Sequence, residues 1–145
     1  MNRLMNYCGT WIHHGSWYPE TKTRIFDRRI AYWENLKVHE VLHVPAGFKT
    51  VHLKGDILHY SYYTVEEHRR QFDKFATLWA EGAFERGKKV TLAGAYVHCF
   101  WRFLRDYFFK LGFLDGRSGL IISKINSKNV YDKYIRTIAL YKNQK

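Results

Sequence analysis

At Thr64 the chain changes its hydrophobic period, and that change limits what it can fold into. Thr64-Val65-Glu66-Glu67 has capping-box spacing: the threonine hydroxyl accepts from the amide three residues on, and the glutamate reaches back. Beyond it Val65, His68, Phe72, Phe75, Ala76, Trp79 and Ala83 recur at helical spacing, and Gly87 suits the position after a helix end. Before it, residues 1–62 hold both prolines and much of the Trp, Tyr, His and β-branched content. There Thr21–Arg28 and Phe48–Leu53 alternate with the period of half-buried strands. Strand-period sequence followed by helix-period sequence predicts an α+β fold: a small, mostly antiparallel β region and then about three α-helices.

The second helix is expected over Leu92–Leu111 and the third over Leu120–Tyr141, parted by a turn containing Gly112, Gly116 and Gly119. The 145 residues suffice for one core. Two regions divide it, 1–62 and a helical, basic 63–145. Lys and Arg number 24 against 13 Asp and Glu, for a net charge of +11, which calls for an anionic partner. Residues 98–145 alone carry ten of the cations and three of the acids. Cys8 and Cys99 form no disulfide framework, so a reducing cytoplasmic setting is expected. No window is long and apolar enough to suggest a signal peptide or a membrane span.

His39-Glu40-Val41-Leu42-His43 matches the H-E-x-x-H pattern of zinc hydrolases, which requires a helix to set both histidines on one face. Val38, Val41 and Val44 favour a strand there, and Pro45 follows two residues after His43. The pattern therefore reads as accidental.

A longer string carries more: Trp11-Ile12-His13-His14-Gly15-Ser16-Trp17-Tyr18-Pro19, then Lys22, Arg24, Ile25, Phe26, Arg28, Trp33 and Val38-His39-Glu40. With Leu53-Lys54-Gly55-Asp56-Ile57-Leu58-His59-Tyr60-Ser61-Tyr62 and Gly112-Phe113-Leu114-Asp115-Gly116 it resembles the C-terminal part of family 2 glycosyltransferases of the lipopolysaccharide-core and cell-envelope type. The resemblance covers nearly the whole chain. It implies the C-terminal portion of a GT-A fold, with residues 1–62 as the acceptor-side remainder of a catalytic domain and 63–145 as a membrane-proximal region. The sequence has no Asp-x-Asp and no Gly-rich phosphate loop, so the nucleotide-binding half of such an enzyme is missing from it and the chain alone is expected to be inactive.

Residue by residue, the resemblance implies Glu40 as general base of an inverting transfer, with His39 orienting it. It implies His59 as a ligand of the divalent metal, Mg or Mn, of the complete enzyme. Lys22, Arg24 and Arg28 would neutralise the departing diphosphate, and Trp17 and Tyr18 would stack on a sugar or base. The implied partners are a nucleotide-sugar donor and a lipid-linked or lipopolysaccharide acceptor. Helix 96–110 adds a third partner from the residues themselves. Trp101, Phe103 and Phe108 lie beside a stripe containing Arg102, Arg105 and Lys110, the pattern of a helix lying on an anionic membrane, with later Lys124, Lys128, Lys133 and Arg136 as further lipid contacts. The expected location is peripheral, on the inner face of the cytoplasmic membrane. The alternative is a basic, aromatic-rich nucleic-acid-binding module, for which the chain carries no recognisable motif.

Overall fold

The computed structural model describes residues 1–35 and 40–143. The order is β1 (Asn2–Tyr7), β2 (Thr10–Ile12), β3 (Tyr32–Asn35), β4 (Glu40–His43), β5 (Asp56–Tyr62), α1 (Val65–Glu85), α2 (Leu92–Leu104) and α3 (Gly116–Lys142). The fold is therefore α+β with three α-helices. Tyr7 and Thr10 are joined by Cys8 and Gly9, both at positive φ (50° and 86°), the two-residue turn that matches strand twist. The resulting sheet has the order β2-β1-β5. β1 pairs antiparallel with β2 and parallel with β5, while β3 and β4 form a separate antiparallel pair. Leu4, Met5, Asn6 and Tyr7 are all buried, as a central strand requires.

The two alternating segments expected to be strands are not. Thr21 makes one isolated bridge to Asn2, and Phe48–Leu53 joins no sheet. The ladder positions beside β1 are taken by β2 and β5, and these two segments instead line a common open cavity, where Ile25, Phe26, Phe48 and Val51 supply apolar wall. Consecutive residues of both segments line it, so the alternation in sequence corresponds to no ladder.

α1 begins as its capping box dictates, the Thr64 hydroxyl accepting from the Glu67 amide at 3.1 Å and the Glu67 carboxylate accepting from the Thr64 amide at 3.2 Å. Its buried line is His68, Ala76, Ala80 and Ala83, whose small side chains let α3 come close, while Phe75 is 44% exposed. α3 is central, packed by both α1 and α2. The expected second helix stops seven residues early, at Leu104. A π-helical turn (Arg105–Phe109), a left-handed residue at Leu111 (φ 58°) and a 3-10 turn (Gly112–Asp115) follow, and α3 starts at Gly116 rather than Leu120. Two glycines of that expected turn are helical, and one serves close packing: a Cβ on Gly119 would lie 1.8 Å from the Gly112 carbonyl oxygen. Among the described residues no helix is long and apolar enough to cross a membrane.

Candidate functional site

The N-terminal end of β1 gathers charge. The Arg3 amide donates to the Glu20 carbonyl at 2.8 Å and the Lys22 amide to the Met1 carbonyl at 3.0 Å, so the segment after Pro19 runs beside the start of β1. The Glu20 carboxylate accepts from Arg3 Nε at 2.9 Å and pairs with Lys22 Nζ at 2.8 Å. Burial alone would raise its pKa, but the hydrogen bonds from Lys22 and Arg3 hold it below the usual carboxylate range. His59 sits opposite Met5 in the parallel ladder. Burial first, and then the charges of Arg3 and Arg24, keep its imidazole below the ordinary histidine value, so it stays neutral.

Two hollows adjoin this cluster. A cavity of about 470 Å³ is lined by Lys22, Arg24, Lys49 and His52 among apolar side chains. A smaller cleft of about 280 Å³ lies among Arg3, His59, Ser61 and Gln71. Lys22, Arg24 and His59 are thus brought into one electropositive neighbourhood. Arg28 is exposed and lines neither hollow.

Such a neighbourhood suits an anion. The charges acting on His59 come from Arg3, Arg24 and Glu20, and that carboxylate is already held by Arg3 and Lys22. No group of three or more metal-ligating side chains occurs among the described residues. One imidazole under the influence of two guanidinium charges does not fit a bare divalent ion.

Glu40 opens β4, opposite Asn35 at the turn end of its hairpin. His43 pairs with Tyr32 at the other end, next to the cavity-lining Val44, so the Glu40 backbone is four residues, about 13 Å, along the chain from that wall. His39 and the Glu40 side chain lie outside the described residues. Because Glu40–His43 is a strand, the helical one-turn spacing of a zinc hydrolase is absent there.

Trp17, expected to stack on a ligand, is half-buried: one side packs against Tyr7, Tyr62 and His68, with ring centroids 5.6, 5.9 and 5.2 Å away, and it also lines the smaller cleft beside Arg3 and His59. Its small-residue neighbours Gly15 and Ser16 let the loop turn it inward. Tyr18 donates its hydroxyl to the Asp56 carboxylate at 3.2 Å, bracing the loop to β5. Trp33 is the exposed one, with the Arg24 guanidinium 5.9 Å from its ring centre.

Two of the cations assigned to lipid are half-buried and engaged by a buried carboxylate. Arg102 Nε lies 2.7 Å from one Asp106 oxygen, and Arg105 Nη2 lies 3.0 Å from the other. Asp106 is buried, so it draws both guanidinium groups inward. Asn126 of α3 donates to the same carboxylate at 3.2 Å and to Ser16 Oγ at 3.1 Å. Phe103 is half-buried, stacked on Tyr107 at 5.3 Å. Trp101, Phe108 and Lys110 are exposed as expected. On α3, Lys128 pairs with Asp132 and Arg136 with Asp73 of α1, while Lys133 lies 5.8 Å from the Trp79 ring centre. Arg136 and Lys133 thus join α3 to α1, Lys128 makes an exposed pair within α3, and Lys124 alone of that set is exposed without such a contact among the described residues.

Sequence reasoning missed the two carboxylates that tie the β region to the helices. Asp106 has its signal in Arg102 four residues earlier, the spacing of an intrahelical ion pair. Asp115 accepts the amides of His13 and His14 at 3.0 and 2.9 Å, and His14 Nδ1 stands 3.0 Å away. The Gly15 amide donates a hydrogen bond to the Lys110 carbonyl at 2.8 Å. No local pattern foretells those contacts, which span about a hundred residues of sequence. No protein-family model matches the chain, and no solved structure matches it.

Proposed function

We propose that this chain is the acceptor-side part of an inverting GT-A glycosyltransferase of family 2, lacking its nucleotide-binding half. It would work from the inner face of the cytoplasmic membrane on a lipid-linked or lipopolysaccharide-core acceptor. The observation that carries the reading is that Lys22 and Arg24, on one segment beside the start of β1, line a cavity together, with His59 of β5 in the adjoining cleft and close enough to Arg24 to feel its charge. A leaving diphosphate requires such a place: as the acceptor oxygen bonds to the anomeric carbon, the carbon–oxygen bond to the diphosphate breaks and its electron pair departs with the nucleotide. Lys22 and Arg24 neutralise that charge. Glu40 takes the proton of the acceptor hydroxyl.

The surface around the cavity supports the missing half. Ile25, Phe48, Val51 and Leu53 line it and are large, apolar and exposed, as residues that a further domain covers would be. The test is sugar transfer by the chain joined in one polypeptide to a GT-A nucleotide-binding half, with and without Glu40→Gln. Turnover that falls by about 10²- to 10⁴-fold with donor affinity unchanged supports the reading, and ordinary turnover in the variant removes Glu40 from that role.

A further inference from the structure

The longest run of exposed apolar surface is not at the cavity but along α2 and the elbow that follows it. Phe100 is 64% exposed and Phe109 69%, and Val97, Trp101, Phe108 and Leu114 are exposed with them. α2 packs on α3 through its opposite side, where Ala95 is fully buried. The π-helical turn, the left-handed Leu111 and the 3-10 turn bring the elbow's own apolar side chains out beside the helix end. Because Arg102 turns back to Asp106, the outward side of α2 carries no charge.

Charge complementarity names the occupant. Between residues 86 and 117 the only acids are Asp106 and Asp115. Asp106 is bound to two arginines, and the Asp115 carboxylate is tied to the His13 and His14 amides. The exposed cations Lys89, Lys110 and Arg117 stand before and after the apolar stretch, with no ion pair among the described residues. A second copy of a chain of net charge +11 would be repelled from this face. An anionic lipid surface would be attracted, and it accepts aromatic rings at its interface. The thirteen residues of α2 make a rod of about 20 Å, too short for a hydrocarbon core of about 30 Å.

We infer that α2 and the elbow after it form a membrane-docking surface, which lies flat in the interface of an anionic bilayer with Phe100, Trp101, Phe108 and Phe109 inserted. Lys89, Lys110 and Arg117 meet the lipid phosphates. Arg102 and Arg105 hold the elbow in shape through Asp106 and touch no lipid. The inference rests on the glycosyltransferase reading only for the choice of membrane, since binding to lipid requires no sugar transfer.

The test is co-sedimentation of the full chain with vesicles of phosphatidylglycerol and phosphatidylcholine, or of phosphatidylcholine alone, at low and high salt. The chain should partition onto the anionic vesicles and weaken with salt. Each cation contributes about fivefold, so Lys110→Glu with Arg117→Glu should reduce binding by at least about 30-fold. Phe100→Ser with Phe109→Ser, both at exposed positions, should reduce it by a similar factor while circular dichroism stays unchanged. Recovery of the chain in the supernatant under all four conditions overturns the inference. So does wild-type-like binding by either double variant, or sedimentation velocity showing a stable dimer that those phenylalanine changes dissociate.

Discussion

Lowering the pH should unfold this protein through His68. Its ring is fully buried, edge-on to Tyr7 and Phe72, stacked on Tyr62 at 4.7 Å, and its Nδ1 is 3.1 Å from the Tyr7 hydroxyl. Its Nε2 has no hydrogen-bond partner. Burial pushes the imidazole from 6.5 down to about 4. The unfolded chain therefore binds the proton first as pH falls, so stability is complete above 6.5 and is lost between 6.5 and 4. At 1.36 kcal/mol per pH unit the full loss is about 3 kcal/mol, of which about 2 is gone by pH 5. The surrounding rings would attract a buried imidazolium by about 2 kcal/mol, less than the cost of desolvating it. Urea unfolding of the wild type and of His68→Phe at pH 7.5, 6 and 5 reads this directly. The wild-type midpoint should drop with pH and the variant's should stay nearly level over that range. Parallel profiles would refute the reasoning and mean that ring attraction cancels the cost of burying the charge.

Asp106→Ala leaves Arg102, Arg105 and Asn126 without their shared acceptor. Breaking a buried pair costs about 3–5 kcal/mol, and partial exposure of both guanidinium groups lets water recover some of it. A loss of about 3 kcal/mol is expected, read by calorimetry as a Tm lower by roughly 6–12 °C, and an unchanged Tm would remove the carboxylate from its structural role. Gly119→Ala places a methyl group 1.8 Å from the Gly112 oxygen and should cost more than about 4 kcal/mol in urea unfolding, whereas Ser118→Ala on the same turn should stay within about 0.5. Equal stability of the two variants would contradict the packing of the elbow on α3.

The local signals were legible. Thr64 and Glu67 name the start of α1 because a capping box is a four-residue interaction. The change of period fixes the α+β class for the same reason. Where an element's end depends on distant residues, the sequence misleads. Nothing near Leu104 says that α2 stops there, because the elbow is held by Asp106, by Asp115 on residues 13 and 14, and by the approach of Gly119 to Gly112. Trp17 packs against His68 and Tyr62 while still lining the smaller cleft, a double contact that nothing adjacent to it in sequence announces. The same limit applies to the site: Lys22 and Arg24 are legible as a basic set, but their nearness to Arg3, Glu20 and His59 arises only when segment 20–22 lies beside β1. Arg102 and Arg105 share a helical stripe with Lys110, yet a single buried acid divides them from it.

Transfer of labelled sugar into lipid tests the central claim most directly. The chain, joined to a GT-A nucleotide-binding half and shown to bind nucleotide, is incubated with bacterial membranes and a panel of labelled nucleotide sugars, and the lipid fraction is counted. Label should enter that fraction from one donor, and Glu40→Gln should cut it at least about 100-fold with nucleotide binding intact. No label from any donor, or equal label from the variant, would contradict the account.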